Sequence, residues 1–288
     1  VEVEVDRLDQ IDAVLAAGLD RVMVGLEDPS PHAAGQGLAK LRAAGIHVET
    51  GIAADEVRRL NAPFLNLLVN RRPWVHAKWA MALDGRIATS AGASQWISNE
   101  ASRAVVHELR GRVDAILVGA GTVAADDPLL TARPEGPRVA TRIVLDSRAR
   151  LSRDSQLVQT LDQAPVLLAC CQEAPADAVE RLKAAGVEVL IMPTQAETGR
   201  VDLDAVLEEL GRRRMTNLLV EGGSEVLGAF ADADGIDEAH VFIAAKIIGG
   251  RDAPGAVGGH GQKQVPTQAT LVPVEVRELQ GDVYWRGV

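Results

Sequence analysis

With 288 residues, 47% of them hydrophobic and 24% charged, the chain can bury one large core or two smaller ones, and bulk disorder is excluded. A net charge of −10 and an aromatic content of 3% argue against a nucleic-acid partner, which needs clustered cations for phosphates and rings for base stacking. No apolar run approaches the roughly 18 residues of a membrane span, and the charged start VEVEVDRLDQ lacks a signal-peptide core, so a cytoplasmic protein is expected.

Along the chain, a helix ending in Ala-Ala-Gly and running at once into a strand occurs three times. The copies are LAAGLDRVMVGL (15–26), LRAAGIHVETG (41–51) and LKAAGVEVLIMP (182–193). Glycine just past a helix takes the left-handed C-cap, and the β-branched run then enters a sheet, the rhythm of a layered α/β protein. Residues 61–74, closed by Arg71-Arg72-Pro73, read as a linker, which places a domain boundary near residue 72. Further strands are expected at 114–120, 141–147, 217–223, 240–248 and 282–287. The continuous apolar character of 143–145 and 218–220 suits interior strands covered on both faces. Helices are expected at 99–111, 176–185, 202–213 and 224–231, the first with a core stripe of Ala101, Val105 and Leu109. The adjacent Cys170 and Cys171 would point to opposite faces of a strand, so they are expected to be buried thiols rather than a disulfide.

Metal chemistry finds little support. His47-Val48-Glu49 matches the H-x-E half of a zinc-deaminase signature, but no C-x-x-C accompanies it and the six histidines are scattered, so no metal site is expected. Three loops that follow strands have ligand-binding character. GAGTVA (119–124) fits G-x-G-x-x-A, yet Asp127-Pro128 limits its helix to about two turns, so it is not a Rossmann unit; a tight connection and a ligand-hugging loop are equally compatible with it. VEGGSEVLGAF (220–230) ends a buried strand in Glu221, turns on two glycines and starts a helix capped by Ser224. Such a turn seats an anion or pyrophosphate, or is merely tight. VLDSRAR (144–150) ends a strand in Ser147, Arg148 and Arg150, which suits a ribose 2′-phosphate better than a free ribose, or is a solvated strand end. In an α/β sheet such loops share one edge, where ligands sit.

The stretch HAKWAMALDGRIATSAGASQW (76–96) opens as a strand, breaks at Asp84-Gly85 and continues through small polar residues to a tryptophan. Together with HELRGRVDAILVGAGTVAADDPLLTAR, VLDSRAR, LLVEGG and AAKIIGG, in that order, it resembles the reductase domain of the bifunctional riboflavin-biosynthesis deaminase/reductase, over residues 73–288. Upstream, DRVMVGLEDPSPHAAGQGLAKLRAAGIHVETG (20–51) resembles the C-terminal part of that family's deaminase domain. The zinc-binding half, which precedes this point in the family, has no counterpart here: it is either degenerate or missing ahead of residue 1. The resemblance implies a dihydrofolate-reductase-like domain over 73–288, with a mostly parallel central sheet flanked by helices. A small N-terminal α/β remnant of a cytidine-deaminase-like domain would occupy 1–72.

The same resemblance implies NADPH as cofactor and a small-molecule substrate, a pyrimidinone ribosylamine 5′-phosphate whose ribosyl group is reduced to a ribityl chain. It also implies a homodimer or larger homo-oligomer, with no deaminase activity and no zinc in these residues. Residue by residue, it places Ser94, Arg110, Leu130 and Arg133 on the substrate and pairs Lys78 with Glu221 near the reacting sugar. Ala80, Trp96, Thr122, Asp126 and Ser147 would line the cofactor. Gly223, Ser224, Glu225, Val226, Leu227, Gly228 and Ala229 would hold its pyrophosphate. Either Asp126 or Asp127 would order sugar hydroxyls, and Trp96 is either a pocket wall or a core residue. The competing reading is a non-catalytic or divergent paralogue that binds NADP and a pyrimidine or pterin-like ligand.

Overall fold

The computed structural model describes residues 7–30, 35–268 and 270–288; the first six residues of the charged start and residues 31–34 of the upstream motif lie outside them. The chain divides into two compact units, Val1–Arg71 and Arg72–Val288. The first carries α1 (Arg7–Ala16), β1 (Arg21–Val24), α2 (Gln36–Ala43), β2 (His47–Thr50), α3 (Ala54–Leu60) and α4 (Ala62–Asn70). β1 and β2 pair in parallel, as strands separated by a helix do. Residues 61–74, read as a linker, are instead mostly the helix α4. Pro63 occupies its first turn, where the missing N–H has no partner to lose, and the apolar PFLNLLV run carries it on to Arg71.

The second unit begins with β3 (Trp74–Ala82), α5 (Glu100–Arg110), β4 (Ala115–Gly119), α6 (Ala120–Asp126), β5 (Thr141–Leu145), α7 (Gln156–Gln159), β6 (Val166–Cys171), α8 (Ala176–Ala184) and β7 (Glu188–Met192). It continues through the short pair β8 (Thr194–Gln195) and β9 (Arg200–Val201), then α9 (Leu203–Arg212), β10 (Asn217–Val220), α10 (Ser224–Asp232), β11 (Glu238–Ala244), β12 (Pro273–Leu279) and β13 (Asp282–Gly287). Gly18, Gly45 and Gly186, the glycines of the three repeated helix ends, all take positive φ (65°, 83° and 91°), which a side chain would resist.

Nine strands form one sheet in the order β12-β13-β11-β3-β10-β4-β5-β6-β7. Its pairs are parallel except those of β13, which runs antiparallel to both β11 and β12. Strand alternation explains the continuous apolar runs. Ile116, Val118, Val144, Leu168 and Cys170 enter the core on one face, while Leu117, Ile143, Leu167, Ala169 and Cys171 enter the core on the other. The two cysteines are thus free, buried and on opposite faces, and burial pushes the Cys170 thiol up. In α5 the buried positions are Ser102 and Val106, one residue on from the expected stripe. Asn99 caps this helix by accepting from the Ser102 amide (2.9 Å), and the Ser102 hydroxyl donates to buried Asp282 (2.7 Å). Strand β12 was not anticipated; most of its residues are exposed, so no alternation marks it.

Because β3 lies between β10 and β11 while the chain continues outward through β4 to β7, the carboxyl ends of β3, β10, β4 and β5 open along one edge. α10 lies close enough to the Gly258–Gly259 backbone that a Cβ at Gly228 would collide with it. Gly228→Ala is expected to lower the unfolding free energy by about 1–3 kcal/mol, read as a lower urea midpoint; an unchanged midpoint would contradict this packing.

Candidate active site

Three charged side chains meet where β3, α5 and β10 approach one another. Beyond β10, the Glu221 amide donates to the Leu117 carbonyl (2.9 Å), extending the pairing by one residue and fixing the carboxylate at the sheet edge. Arg110, in the last turn of α5, grips it with both arms: Nε donates to Oε1 (2.6 Å) and Nη2 to Oε2 (2.9 Å). Lys78, on β3, brings Nζ to 3.7 Å from Glu221 Oε2, and the Glu221 side chain is only 7% exposed. Burial alone would raise the Glu221 carboxyl, but Arg110 and Lys78 outweigh it and hold it down at about 2. Burial lowers the Lys78 ammonium and Arg110 adds to that effect, while Glu221 opposes it. The result is a protonatable amine kept beside a permanent carboxylate, an arrangement suited to proton transfer at a bound polar group.

Around this triad, Ser94 donates to Asp126 (3.0 Å), tying the loop after β3 to the end of α6. Asp127 accepts from the Gln156 amide (2.8 Å) and so anchors α7, which leaves Asp126 as the acid that faces Ser94. Asp84-Gly85 turns the chain as expected: the Gly85 amide donates to Ala82 O (2.9 Å), and Asp84 accepts from the Gly249 amide (2.6 Å) of the AAKIIGG motif. Trp96 is not a core residue; it is 64% exposed, with the Arg103 guanidinium 4.5 Å from its ring centre. Its carbonyl accepts from Lys246 Nζ (2.7 Å). Ala80 is half-buried on β3, beside Phe242 in the sheet.

A second cluster of cations faces a cavity of about 620 Å³ lined by Arg110, Leu129, Thr131, Arg133, Arg138 and Ala164. Arg133 donates to Thr131 Oγ1 (3.0 Å), and burial and then Arg110 lower its guanidinium. His107, which sequence reasoning missed, is lowered first by burial and then by Arg110 and Arg133. Its position one turn before Arg110 was the available signal. Leu130 lines the same cavity; the residue is 3% exposed and its side chain belongs to the apolar core, so it would meet a ligand through its backbone.

The glycine turns meet at the β4 and β10 ends. A Cβ at Gly223 would lie 3.2 Å from Thr122 Oγ1, and one at Gly222 would strike Val226, so bare backbone lines this notch. A cofactor phosphate fits such a lining, where first-turn amides are free of intrahelical partners. Within the expected stretch Gly223–Ala229, Leu227 (1% exposed) belongs to the apolar core and Gly228 packs on Gly258. The helix cap is Gly223; Ser224 is the first helical residue and makes no side-chain cap. Glu225 turns outward to Arg200 (3.0 Å). At the end of β5, Ser147 Oγ accepts from the Val201 amide (3.3 Å). The loop itself is built by buried Asp146, also missed from sequence, which accepts from the amides of Arg148 (3.3 Å), Arg150 and Leu151 (2.9 Å). A cavity of about 490 Å³ lies against it, lined by Ala120, Gly121, Asp146, Arg150 and Ser155.

The histidines are less scattered than their sequence positions imply. Among the described residues, His76, Glu238 and His240 form a group whose ligand atoms all lie within 4.8 Å of one another. Asn217 Nδ2 donates to Thr216 Oγ1 (2.8 Å), so its Oδ1 accepts from His76 Nε2 (3.1 Å). His76 Nδ1 then accepts from His240 Nε2 (3.2 Å), and His240 Nδ1 accepts from the Tyr284 hydroxyl (2.8 Å). Glu238 already carries Arg286 (2.8 Å) and the Trp74 indole N–H (3.2 Å). A cation there would have to displace a shared proton and sit beside a guanidinium, so the geometry is that of a closed hydrogen-bonded strut. In the first unit, His47 and Glu49 lie 3.5 Å apart on β2, with the His47 side chain 67% exposed; the chain's only thiols are the two buried on β6.

Residues 73–284 match the model of a protein family described as the RibD C-terminal domain. The riboflavin biosynthesis protein RibD of Actinobacillus pleuropneumoniae is 36% identical over 271 residues, covering 94% of this chain and 71% of that protein. RibD of Escherichia coli (strain K12) is 33% identical over 285 residues, covering 94% and 75%. Among solved structures, Acinetobacter baumannii RibD superposes with a TM-score of 0.81 at 28% identity, over 96% of this chain and 75% of that one. A Thermotoga maritima protein described as a diaminohydroxyphosphoribosylaminopyrimidine deaminase/5-amino-6-(5-phosphoribosylamino)uracil reductase gives 0.80 at 30%, over 96% and 73%.

Burial, with the nearby His76 and Arg286, pushes the His240 imidazole down to about 3. It therefore stays neutral in the folded chain, while the unfolded chain takes up the proton below about 6.5. Stability from this group is complete above pH 6.5 and is lost progressively as the pH falls from there toward 3. The expected loss is about 1.4 kcal/mol per pH unit, measured by urea titration between pH 7 and 5. His240→Gln should flatten that slope; an equal slope in the variant would refute the assignment.

Proposed function

We propose that this chain, which belongs to the RibD C-terminal domain family, reduces 5-amino-6-(5-phosphoribosylamino)uracil to 5-amino-6-(5-phosphoribitylamino)uracil with NADPH, a step of riboflavin biosynthesis. The observation that carries the reading is the buried Lys78–Glu221–Arg110 triad at the sheet edge, between a bare-backbone notch and a cavity lined by Arg133. When bound, the cofactor supplies the hydride that the sugar carbon attached to nitrogen receives. The protein's part is position and charge.

The amides and small side chains around Thr122 and Gly222–Glu225 take the pyrophosphate. Ser147 and the Asp146-built loop with Arg148 take the ribose phosphate end, while Ala80 and Trp96 line the nicotinamide end. Asp126 and Ser94 order sugar hydroxyls, and Arg133 holds the substrate's 5′-phosphate. Lys78 gives a proton to the ring oxygen as the nitrogen lone pair opens the C1′–O4′ bond, which produces the iminium that accepts hydride. Glu221, held by Arg110, keeps that ammonium aimed.

Supplying the deaminated ribosylaminopyrimidine phosphate with NADPH is expected to give loss of reduced-nicotinamide absorbance, and no oxidation by correctly folded protein would sink the proposal. Lys78→Met should lower kcat by about 100-fold or more. NADH should support turnover poorly at matched concentration; equal rates with both cofactors would remove the role given to Ser147 and Arg148.

A further inference from the structure

The guanidinium of Arg142, in mid-β5, is sealed within the molecule: the residue is 0% exposed and heads the largest fully buried side chains. Among the described residues no carboxylate accepts a hydrogen bond from it. Nη1 donates to Leu129 O (3.2 Å) and Thr160 Oγ1 (2.7 Å), and Nη2 to Thr160 O (2.8 Å) and Ala164 O (2.5 Å). Nε has no partner. Asp162 favours the charge without bonding it, and burial still lowers the guanidinium. A buried cation hydrogen-bonded only to neutral oxygens adds little stability, since an apolar side chain of similar volume fills such a place at lower desolvation cost. What the arginine does, and an apolar residue cannot, is hold several carbonyls in one plane with a rigid fork.

The carbonyls it holds belong to two separate segments lining the cavity onto which Arg110 and Arg133 open, Leu129 from one and Ala164 from the other. Leu129 is followed by Leu130, a non-glycine residue at φ 54°, a conformation that side chains resist unless neighbouring contacts enforce it. Immediately after come Thr131 and Arg133, whose own bond (3.0 Å) carries the geometry to the cation facing the cavity. Thr131 O in turn lies 3.2 Å from His107 Nδ1.

We propose that Arg142 is a positioning residue for the phosphate end of the substrate: by bracing Leu129 against Thr160–Ala164 it sets the left-handed turn that presents Arg133 to a phosphate monoester. This rests on the reductase reading above for the identity of the substrate, but not for the anion seat itself.

The test compares wild type with Arg142→Lys, which keeps the charge but cannot reproduce the fork. Thr160→Val, which removes one acceptor, is the milder variant should the lysine protein fail to fold. KM for the ribosylaminouracil phosphate is expected to rise about 10- to 100-fold in Arg142→Lys, and by less in Thr160→Val. KM for NADPH and kcat should stay within about twofold. The phosphate-free substrate should lose little of whatever turnover it has. Independently of activity, inorganic phosphate should raise the wild-type melting temperature, and do so more weakly in both variants.

Unchanged phosphate protection and unchanged KM would overturn the proposal. So would an equal loss for phosphorylated and phosphate-free substrates, or a parallel loss of NADPH affinity, because a merely structural arginine would act on all of them alike. A wild-type protein that is inert toward the ribosylaminouracil phosphate, yet is stabilised by phosphate through Arg142, would refute the reductase reading and support the brace.

Discussion

Everything at the candidate site turns on one carboxylate kept out of water between two cations. Desolvation of Glu221, Arg110 and Lys78 is expensive for each taken singly, and the arrangement survives only because the charges neutralise one another at close range. The bidentate grip of Arg110 supplies direction as well as charge, so Glu221 has little rotational freedom. Lys78 stands farther off, at 3.7 Å. It is the member of the group whose proton is most easily released, which separates a rigid pair from a chemically available one.

The sheet order explains how three residues so distant in sequence come to be neighbours. β3 is inserted between β11 and β10, and β10 in turn lies beside β4. Lys78 in mid-β3 is thereby level with Glu221 just beyond the shorter β10, and Arg110 from the last turn of the helix between β3 and β4 reaches both. The same order places the glycine turns after β4 and β10 side by side. Cofactor and substrate walls therefore come from loops that share a scaffold buried on both faces, and such a scaffold tolerates little movement.

Much of this was legible in the sequence because local rules decide it. The three Ala-Ala-Gly helix ends, the interior strands 141–145 and 217–220, and the turn at Asp84-Gly85 each depend on residues adjacent in the chain. The misreadings have physical causes as well. Residues 62–70 form a helix because Pro63 is compatible with a first turn, whereas the closing Arg71-Arg72-Pro73 gave the whole segment the look of a linker. Asp146 sat inside a strand-end motif whose arginines drew attention, yet the acid is the buried member that shapes the loop. His76 and His240 are separated by 164 residues, and only the pairing of β3 with β11 makes them partners.

The buried charges differ in what they require of their surroundings. Glu221 and Arg110 need each other; removing either leaves an uncompensated charge in a nearly dry place. Arg142 shares no hydrogen bond with a carboxylate among the described residues; Asp162 favours its charge without bonding it, and the guanidinium is accommodated chiefly by carbonyl dipoles from segments that lack regular secondary structure around Leu129 and Ala164. A backbone carbonyl in a loop is held weakly by the loop itself, so fixing it takes an external donor. Helix α6 ends at Asp126 and β5 begins at Thr141; the residues between them have no ladder of their own to specify their path. Donors from outside the interval therefore fix it: Gln156 reaches the Asp127 carbonyl, Arg142 reaches that of Leu129 from the sheet beneath, and His107 and Arg110 reach that of Thr131.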